Sequence, residues 1–261
     1  MQHHKKKEYA LEVEHLTVNY ERMSVLWDVN LTIPQGKMGA IVGPNGAGKS
    51  TFLKACMGLL KPSSGKILFF GQNISQVRSR IAYVPQRASV DWDFPITAFD
   101  LVLMGIYGKL GLFKWVTKKD REKAKEALHL VGMSNFRQRQ IGQLSGGQQQ
   151  KLFIARAMMQ EADLYLMDEP FAGIDKATEE SLVDIFHLLK AQGKTLIMVH
   201  HDLSTVKKYF DWIVLLNTCL ISYGSIEEAY TEHFLYKAYG QSTTLLHQAA
   251  KLAKEKTEGT K

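Results

Sequence analysis

The sequence predicts an α/β fold built around a parallel sheet, and three observations carry that expectation. Gly43-Pro44-Asn45-Gly46-Ala47-Gly48-Lys49-Ser50 reads G-x-x-x-x-G-K-S, directly after the apolar run Ala40-Ile41-Val42 and at the start of a helical pattern. Leu164-Tyr165-Leu166-Met167 and Thr195-Leu196-Ile197-Met198-Val199 are continuous apolar runs on either side of a helical stretch from Lys176 to Ala191, the alternation expected of parallel strands buried on both faces. Between the two halves, from about Thr97 to Met158, apolar residues such as Ala124, Ala127, Leu128 and Val131 recur at helical spacing, which marks a candidate inserted lobe. The 261 residues suit one large α/β domain, with or without such a lobe, and would be cramped as two tandem domains.

Taken in order, Leu11 to Val18 and Val25 to Ile33 are β-branched runs separated by polar residues, which suits an antiparallel sheet ahead of the glycine-rich string. Lys49 to Leu60 reads as a helix ending near Gly58 and Pro62. Lys66 to Gly71 and Ile81 to Val84 read as further strands, and runs at Trp212 to Leu216 and Leu220 to Tyr223 would close the sheet edge. A last helix could extend through Leu245, Leu246, Ala249 and Leu252. No internal repeat is visible.

Hydrophobic residues at 45% and charged residues at 23% exclude disordered and collagen-like classes. The formal charge of +7 is compatible with nucleic acid or an anionic membrane surface, but much of it lies at the edges, in Lys5-Lys6-Lys7 and in Lys251, Lys254, Lys256 and Lys261, where solvated termini explain it. No run of eighteen apolar residues and no secretory apolar stretch is present, so a cytosolic protein is expected. Cys56 and Cys219 have no metal-like spacing and read as buried hydrophobes without a function.

The glycine-rich string is a P-loop. Its glycines let backbone N–H groups of Gly46, Gly48 and Lys49 approach phosphate oxygens, Lys49 is suited to the β- and γ-phosphates, and Ser50 to a magnesium ion. Gly43 to Ser50, with the following Thr51, form the expected nucleotide-binding set. Leu144-Ser145-Gly146-Gly147-Gln148 follows about a hundred residues later; five prescribed residues arise by accident in roughly one chain of this length in ten thousand, at about one in twenty per residue. Asp168 and Glu169 end an apolar strand, putting two carboxylates at the carboxyl edge of a parallel sheet, where α/β ligands bind. Asp168 suits magnesium, and Glu169 suits a general base for the attacking water.

Together these motifs, in this order and over nearly the full length, resemble the nucleotide-binding subunit of an ATP-binding cassette (ABC) transporter. The resemblance implies a P-loop NTPase core of ABC type with an N-terminal antiparallel β-subdomain and an inserted α-helical subdomain. It implies boundaries at residues 1–86 and 159–235 for the core, 87–158 for the lobe that carries Ser145-Gly146-Gly147-Gln148, and 236–261 for a basic tail. It places Tyr20 on the adenine, Gln86 in the magnesium and γ-phosphate shell, and Asp175 of Ala172-Gly173-Ile174-Asp175 in the D-loop. His201 of His200-His201-Asp202 matches the switch histidine, with His200 as its neighbour. A metal site at the histidine pair is disfavoured, since no other ligand lies at compatible spacing.

The resemblance also implies ATP and Mg2+ as cofactors and a head-to-tail dimer of two copies, with Ser145 and Gly147 of one clasping the γ-phosphate held by the P-loop of the other. Polytopic membrane permease subunits would receive the stroke at the cytoplasmic face of the cell membrane, and a metal-binding extracytoplasmic protein would deliver cargo; nucleic acid is not an expected partner. Ser89 to Thr97, Asp100 to Gly105 and Phe171 to Asp175 resemble ATPases of manganese, zinc and iron importers. The segment Tyr107, Leu110, Leu112, Phe113, Trp115 is either packed core or a docking surface. The alternative is a soluble single-cassette ABC ATPase, such as one serving iron–sulfur assembly. The long coiled coil of chromosome and repair ATPases is absent.

Overall fold

The computed structural model describes residues 9–20, 23–110 and 115–240. Strands β1 (Tyr9–Tyr20), β2 (Met23–Pro34) and β4 (Ser64–Phe69) form an antiparallel sheet in the order β2-β1-β4. The second sheet has the order β5-β6-β7-β3-β8-β9, from β3 (Met38–Val42), β5 (Ile81–Val84), β6 (Leu164–Met167), β7 (Thr195–Val199), β8 (Trp212–Asn217) and β9 (Cys219–Ser225). Neighbours are parallel from β5 through β8, and only the edge hairpin β8–β9 is antiparallel.

The continuous apolar runs follow from burial on both faces. Ile41, Leu164, Leu166, Ile197, Val199 and Val214 point into one core, shared with the antiparallel sheet and with Phe52 and Leu53 of helix α1 (Lys49–Cys56). Their alternate neighbours Ala40, Val42, Tyr165, Met167, Leu196 and Met198 point into the other, against the remaining helices. Helix α1 is shorter than the stretch to Leu60 that the sequence suggests. Gly58 takes φ +68°, its N–H donates to Ala55 O, and Leu59 N–H donates to Lys54 O, a glycine-terminated cap that reverses the chain after Met57.

A short helix α2 (Ile74–Val77) leads to β5. Helices α3 (Ala98–Leu103), α4 (Tyr107–Leu110), α5 (Lys118–Leu130) and α6 (Gly146–Met158) follow, and α3, α5 and α6 pack on one another. Thr117 and Asp120 form a capping box that starts α5, and Ser145 with Gln148 does the same for α6. Trp92 ties this region down, its ring edge-on to Phe153 at 5.1 Å and its indole N–H donating to Arg87 O at 2.9 Å. Of the aromatic segment, Leu110 packs against the core while Tyr107 and Trp115 are exposed; Leu112 and Phe113 lie outside the described residues.

Helix α7 (Lys176–Ala191) links β6 to β7 and packs on β7, and α8 (Val206–Tyr209) precedes β8. Two helices, α9 (Ile226–Ala229) and α10 (Glu232–Tyr239), follow β9. Asn217 Nδ2 donates to Ala238 O at 3.0 Å, so α10 is fastened to β8 and runs across the expected boundary at residue 236. The helix expected around Leu245 to Leu252 and the basic termini lie outside the described residues. Cys56 is buried, as expected, and burial pushes its thiol pKa up. Cys219 is exposed instead, because it opens the edge strand just after the hairpin turn.

Candidate functional site

The parallel register brings the motif residues to one edge. Val84 stands level with Met167, Met167 with Met198, and Met198 with Ala40. The chain leaving β5 therefore carries Gln86, that leaving β6 carries Asp168 and Glu169, that leaving β7 carries His200 and His201, and that leaving β3 is the P-loop. These are adjacent strand ends at the carboxyl edge of the sheet, where open α/β sheets bind ligands.

Close backbone approach explains two of the P-loop glycines. A Cβ on Gly43 would lie 2.0 Å from the carbonyl oxygen of Leu216, and one on Gly48, at φ +89°, would lie 2.6 Å from Leu26 Cδ2 and 2.8 Å from Val25 O. Asn45 and Gly46 form the exposed tip, Pro44 is half-buried, and Ala47, Gly48 and Lys49 are buried. Lys49 Nζ donates to Gly43 O and Pro44 O, both at 2.9 Å, so the ammonium curls back inside its own loop. Ser50 and Thr51 are the half-buried first residues after it on α1.

Two hydrogen bonds join the strand ends. Ser50 Oγ donates to Asp168 Oδ1 at 2.9 Å, and Gln86 Nε2 donates to Glu169 Oε2 at 2.9 Å. Glu169 is one of few non-glycine residues with positive φ, at 52°, in a tight turn where Ala172 N–H donates to Glu169 O. Asp175 caps α7, its carboxylate accepting from Thr178 N–H and Oγ1 at 2.9 and 2.8 Å.

The sequence-predicted residues at Ser145 to Gln148 are on a different surface element. Ser145 and Gln148 bond reciprocally, Ser145 N–H to Gln148 Oε1 at 3.0 Å and Gln148 N–H to Ser145 Oγ at 3.4 Å, and Ser145 O accepts from Gln149 N–H at 2.9 Å. Gly146 sits against the Arg87 guanidinium and Gly147 against Thr178, so bulk at either would meet a neighbour 3.0 to 3.1 Å away. Tyr20 ends β1 opposite Met23, at the turn end of the β1–β2 hairpin, and its ring is exposed. His201 is exposed and His200 is buried.

The ABC transporter family model matches residues 26–172. The chain belongs to the ABC transporter family. A zinc transport system ATP-binding protein, TroB, of Treponema pallidum is 55% identical over 89% of this chain and 87% of its own length. A manganese transport system ATP-binding protein, MntB, of Bacillus subtilis is 51% identical over 91% and 95%. Among solved structures, a nucleotide-free ATP-binding cassette from an ABC transporter superposes with a TM-score of 0.75 at 25% identity, over 91% of this chain and 97% of that one. The chain is thus an ABC ATPase, an enzyme that binds and hydrolyses ATP.

The electrostatics of this ABC ATPase are set by burial. Burial raises the Asp168 pKa, with Glu169 next to it adding to the rise, while Ser50, Lys54 and Lys49 oppose it. Burial likewise lowers the pKa of Lys49, against the pull of Glu169 and Asp168. The pocket therefore holds two partly desolvated, opposite charges that a phosphate and a cation would each complement. The Ser50 hydroxyl, the Asp168 carboxylate and the amide oxygen of Gln86 are hard oxygen donors of the kind magnesium takes, and the first two already converge at hydrogen-bond distance.

Some site residues escape motif reading. Arg87, next to Gln86, donates through Nε to the buried Gln149 Oε1 at 2.8 Å, and Gln149 Nε2 donates to Ile141 O at 3.1 Å. This ties the chain after β5 to α6 beside Gly146. The only sequence signal was three glutamines in a row on a helix otherwise headed for the core. Lys54, one turn along α1 from Ser50, adds a positive charge toward Asp168 and had no local signal at all.

Proposed function

We propose that this ABC ATPase is the motor subunit of a membrane importer for a transition metal, either manganese, zinc or iron. The observation that carries its hydrolytic part is the pair of bonds Ser50 to Asp168 and Gln86 to Glu169, which gather a P-loop, a carboxylate pair and a γ-phosphate sensor at adjacent strand ends. Its cargo is supported by relatives of about half identity that are named for zinc and manganese transport. The same names disfavour the soluble iron–sulfur assembly reading.

In this reading Lys49 exchanges the carbonyls of Gly43 and Pro44 for the β- and γ-phosphate oxygens of ATP. Backbone N–H groups of Gly46, Gly48 and Lys49 meet the same phosphates at the start of α1. Ser50, Asp168 and the Gln86 amide oxygen would hold magnesium, which supplies charge neutralisation on the phosphate oxygens. Glu169 Oε2 takes the proton of the attacking water, its carboxylate aimed by the Gln86 amide. His201 senses the γ-phosphate, and the exposed Tyr20 ring stacks on the adenine.

A second copy of the chain completes the site. Ser145, Gly146, Gly147 and Gln148 at the N-terminus of α6, with Asp175 of the D-loop, approach ATP held by the partner's P-loop, so that ATP bridges two copies and hydrolysis releases them. Among the described residues no helix is long and apolar enough to cross a membrane. The motor works at the cytoplasmic face through polytopic permease subunits, supplied by an extracytoplasmic metal-binding protein. The helical region from residue 87 to 158 takes the contact with the permease.

The test is the manganese, zinc and iron content of cells carrying either the natural chain or Lys49→Ala, under metal limitation. A selective fall in one metal names the cargo. Unchanged levels of all three, with no compensating transporter, overturn the metal reading.

A further inference from the structure

One buried titratable side chain has no part in the chemistry just described. His200 follows β7 and is 2% exposed. Its backbone N–H donates to Ile41 O at 3.0 Å, pinning it to the strand that enters the P-loop. Its ring lies edge-on to Phe171, with centroids 5.6 Å apart and planes at 84°, and 5.1 Å from the ring of Phe210. Phe171 belongs to the loop that begins with Glu169 and ends with Asp175, and is backed by Phe186 of α7 at 5.7 Å. The ring of His201 lies 6.0 Å from that of His200 on another side.

The polar edge of the ring is also engaged. His200 Nε2 lies 2.7 Å from Thr205 Oγ1, and that hydroxyl donates its single hydrogen to Asp202 O at 3.1 Å. The Thr205 hydroxyl thus bridges the imidazole and the backbone of Asp202. The turn that follows His201 is built on Asp202, whose Oδ1 accepts from Ser204 N–H and Oγ at 2.9 and 2.7 Å. The bond from His200 fastens this turn to the core.

We infer that His200 is a positioning residue for ATP hydrolysis, a buried wedge that fixes the turn bearing His201 against the loop bearing Glu169 and Asp175. A hydrophobic ring would fill the same aromatic space, but it would remove the bond to Thr205 and leave the turn free to shift. Burial holds the imidazole neutral, with its pKa pushed down to about 4. The inference rests on the reading of His201 as the γ-phosphate sensor.

The experiment measures kcat and KM for ATP on the full chain for His200→Phe, Thr205→Val, the two combined, Thr205→Ser and His201→Ala. His200→Phe and Thr205→Val are each expected to lower kcat about tenfold, with KM changed by less than about twofold. The combined variant is expected to be no slower than either single one, since all three break the same bond. Thr205→Ser keeps the hydroxyl and keeps the rate. Additive losses overturn the inference, as does a Thr205→Ser variant as slow as Thr205→Val. So does a normal kcat in His200→Phe and Thr205→Val while His201→Ala is slow. A normal rate in His201→Ala overturns the sensor reading itself, and the inference with it. Should His200→Phe fail to fold, the two Thr205 variants decide the matter.

Discussion

Gln86 Nε2 donates to Glu169 Oε2 at 2.9 Å, joining the ends of β5 and β6 across 83 residues of chain. The partner of this carboxylate is a neutral amide. The amide orients the carboxylate without placing a charge beside it. Glu169→Gln is thus expected to keep ATP binding and to lose turnover by about two to four orders of magnitude. Equilibrium binding of labelled ATP beside phosphate release measures both. Near-normal phosphate release would remove Glu169 as the base.

The backbone of Glu169 yields a second expectation. At φ 52° it occupies the left-handed region, which costs a residue with a Cβ about 1 to 2 kcal/mol relative to glycine. Glu169→Gly and Glu169→Ala both delete the carboxylate, so their difference isolates the backbone. The glycine variant is expected to be more stable than the alanine variant by about 1 kcal/mol, with neither hydrolysing ATP. Denaturant midpoints decide it, and equal midpoints would show that the turn relaxes without strain.

Lys49 is held by two carbonyl oxygens of its own loop, with its charge partly desolvated. Phosphate oxygens offer it a full opposite charge at the cost of two neutral acceptors. Lys49→Ala is expected to weaken ATP binding by at least about tenfold, the scale of one charge-assisted hydrogen bond. Lys49→Arg is not expected to rescue it, because a planar guanidinium cannot reproduce a compact ammonium inside a buried loop. Titration calorimetry with ATP and Mg2+ reads both variants, and wild-type affinity in Lys49→Ala would remove the lysine from phosphate binding.

What was legible in the chain follows from which forces are local. The runs at Leu164 and Thr195 could be read as parallel strands because a sheet buried on both faces leaves no polar alternation. The P-loop was legible because a helix N-terminus, glycines and a lysine must be contiguous to hold phosphate. The sequence marks Gly58 as a stop for helix α1 but not the last helical residue, because the left-handed turn at Gly58 ends the helix at Cys56 while the apolar spacing runs on to Leu60. The bonds from Gln86 to Glu169 and from Arg87 to Gln149 link residues 83 and 62 positions apart, and no periodicity encodes such pairs. The motif separates His201 from His200, but nothing local in the string says which of the two rings is buried. Only the pleat at the end of β7 turns one inward among Phe171 and Phe210 and leaves the other exposed.

That inward turn makes stability depend on pH in a definite direction. Burial is the main cause that lowers the His200 pKa from 6.5 to about 4, with His201 adding to the fall and Asp202 opposing it. In the unfolded chain the imidazole takes up a proton below 6.5, while in the folded chain it resists until about 4. The unfolded state therefore binds more protons across this window, so the contribution of His200 is fully present above 6.5 and is lost as the pH falls toward 4. Between neutral pH and pH 5 the loss is about 2 kcal/mol, from a unit shift being worth about 1.4 kcal/mol. Denaturant unfolding of the full chain at both pH values, beside His200→Phe, isolates this component from every other titrating group. The phenylalanine variant is expected to lose about 2 kcal/mol less than the natural chain on acidification. Equal losses in the two would mean that His200 can accept a proton in the folded state, and that its ring is less enclosed than Phe171, Phe210 and Thr205 make it.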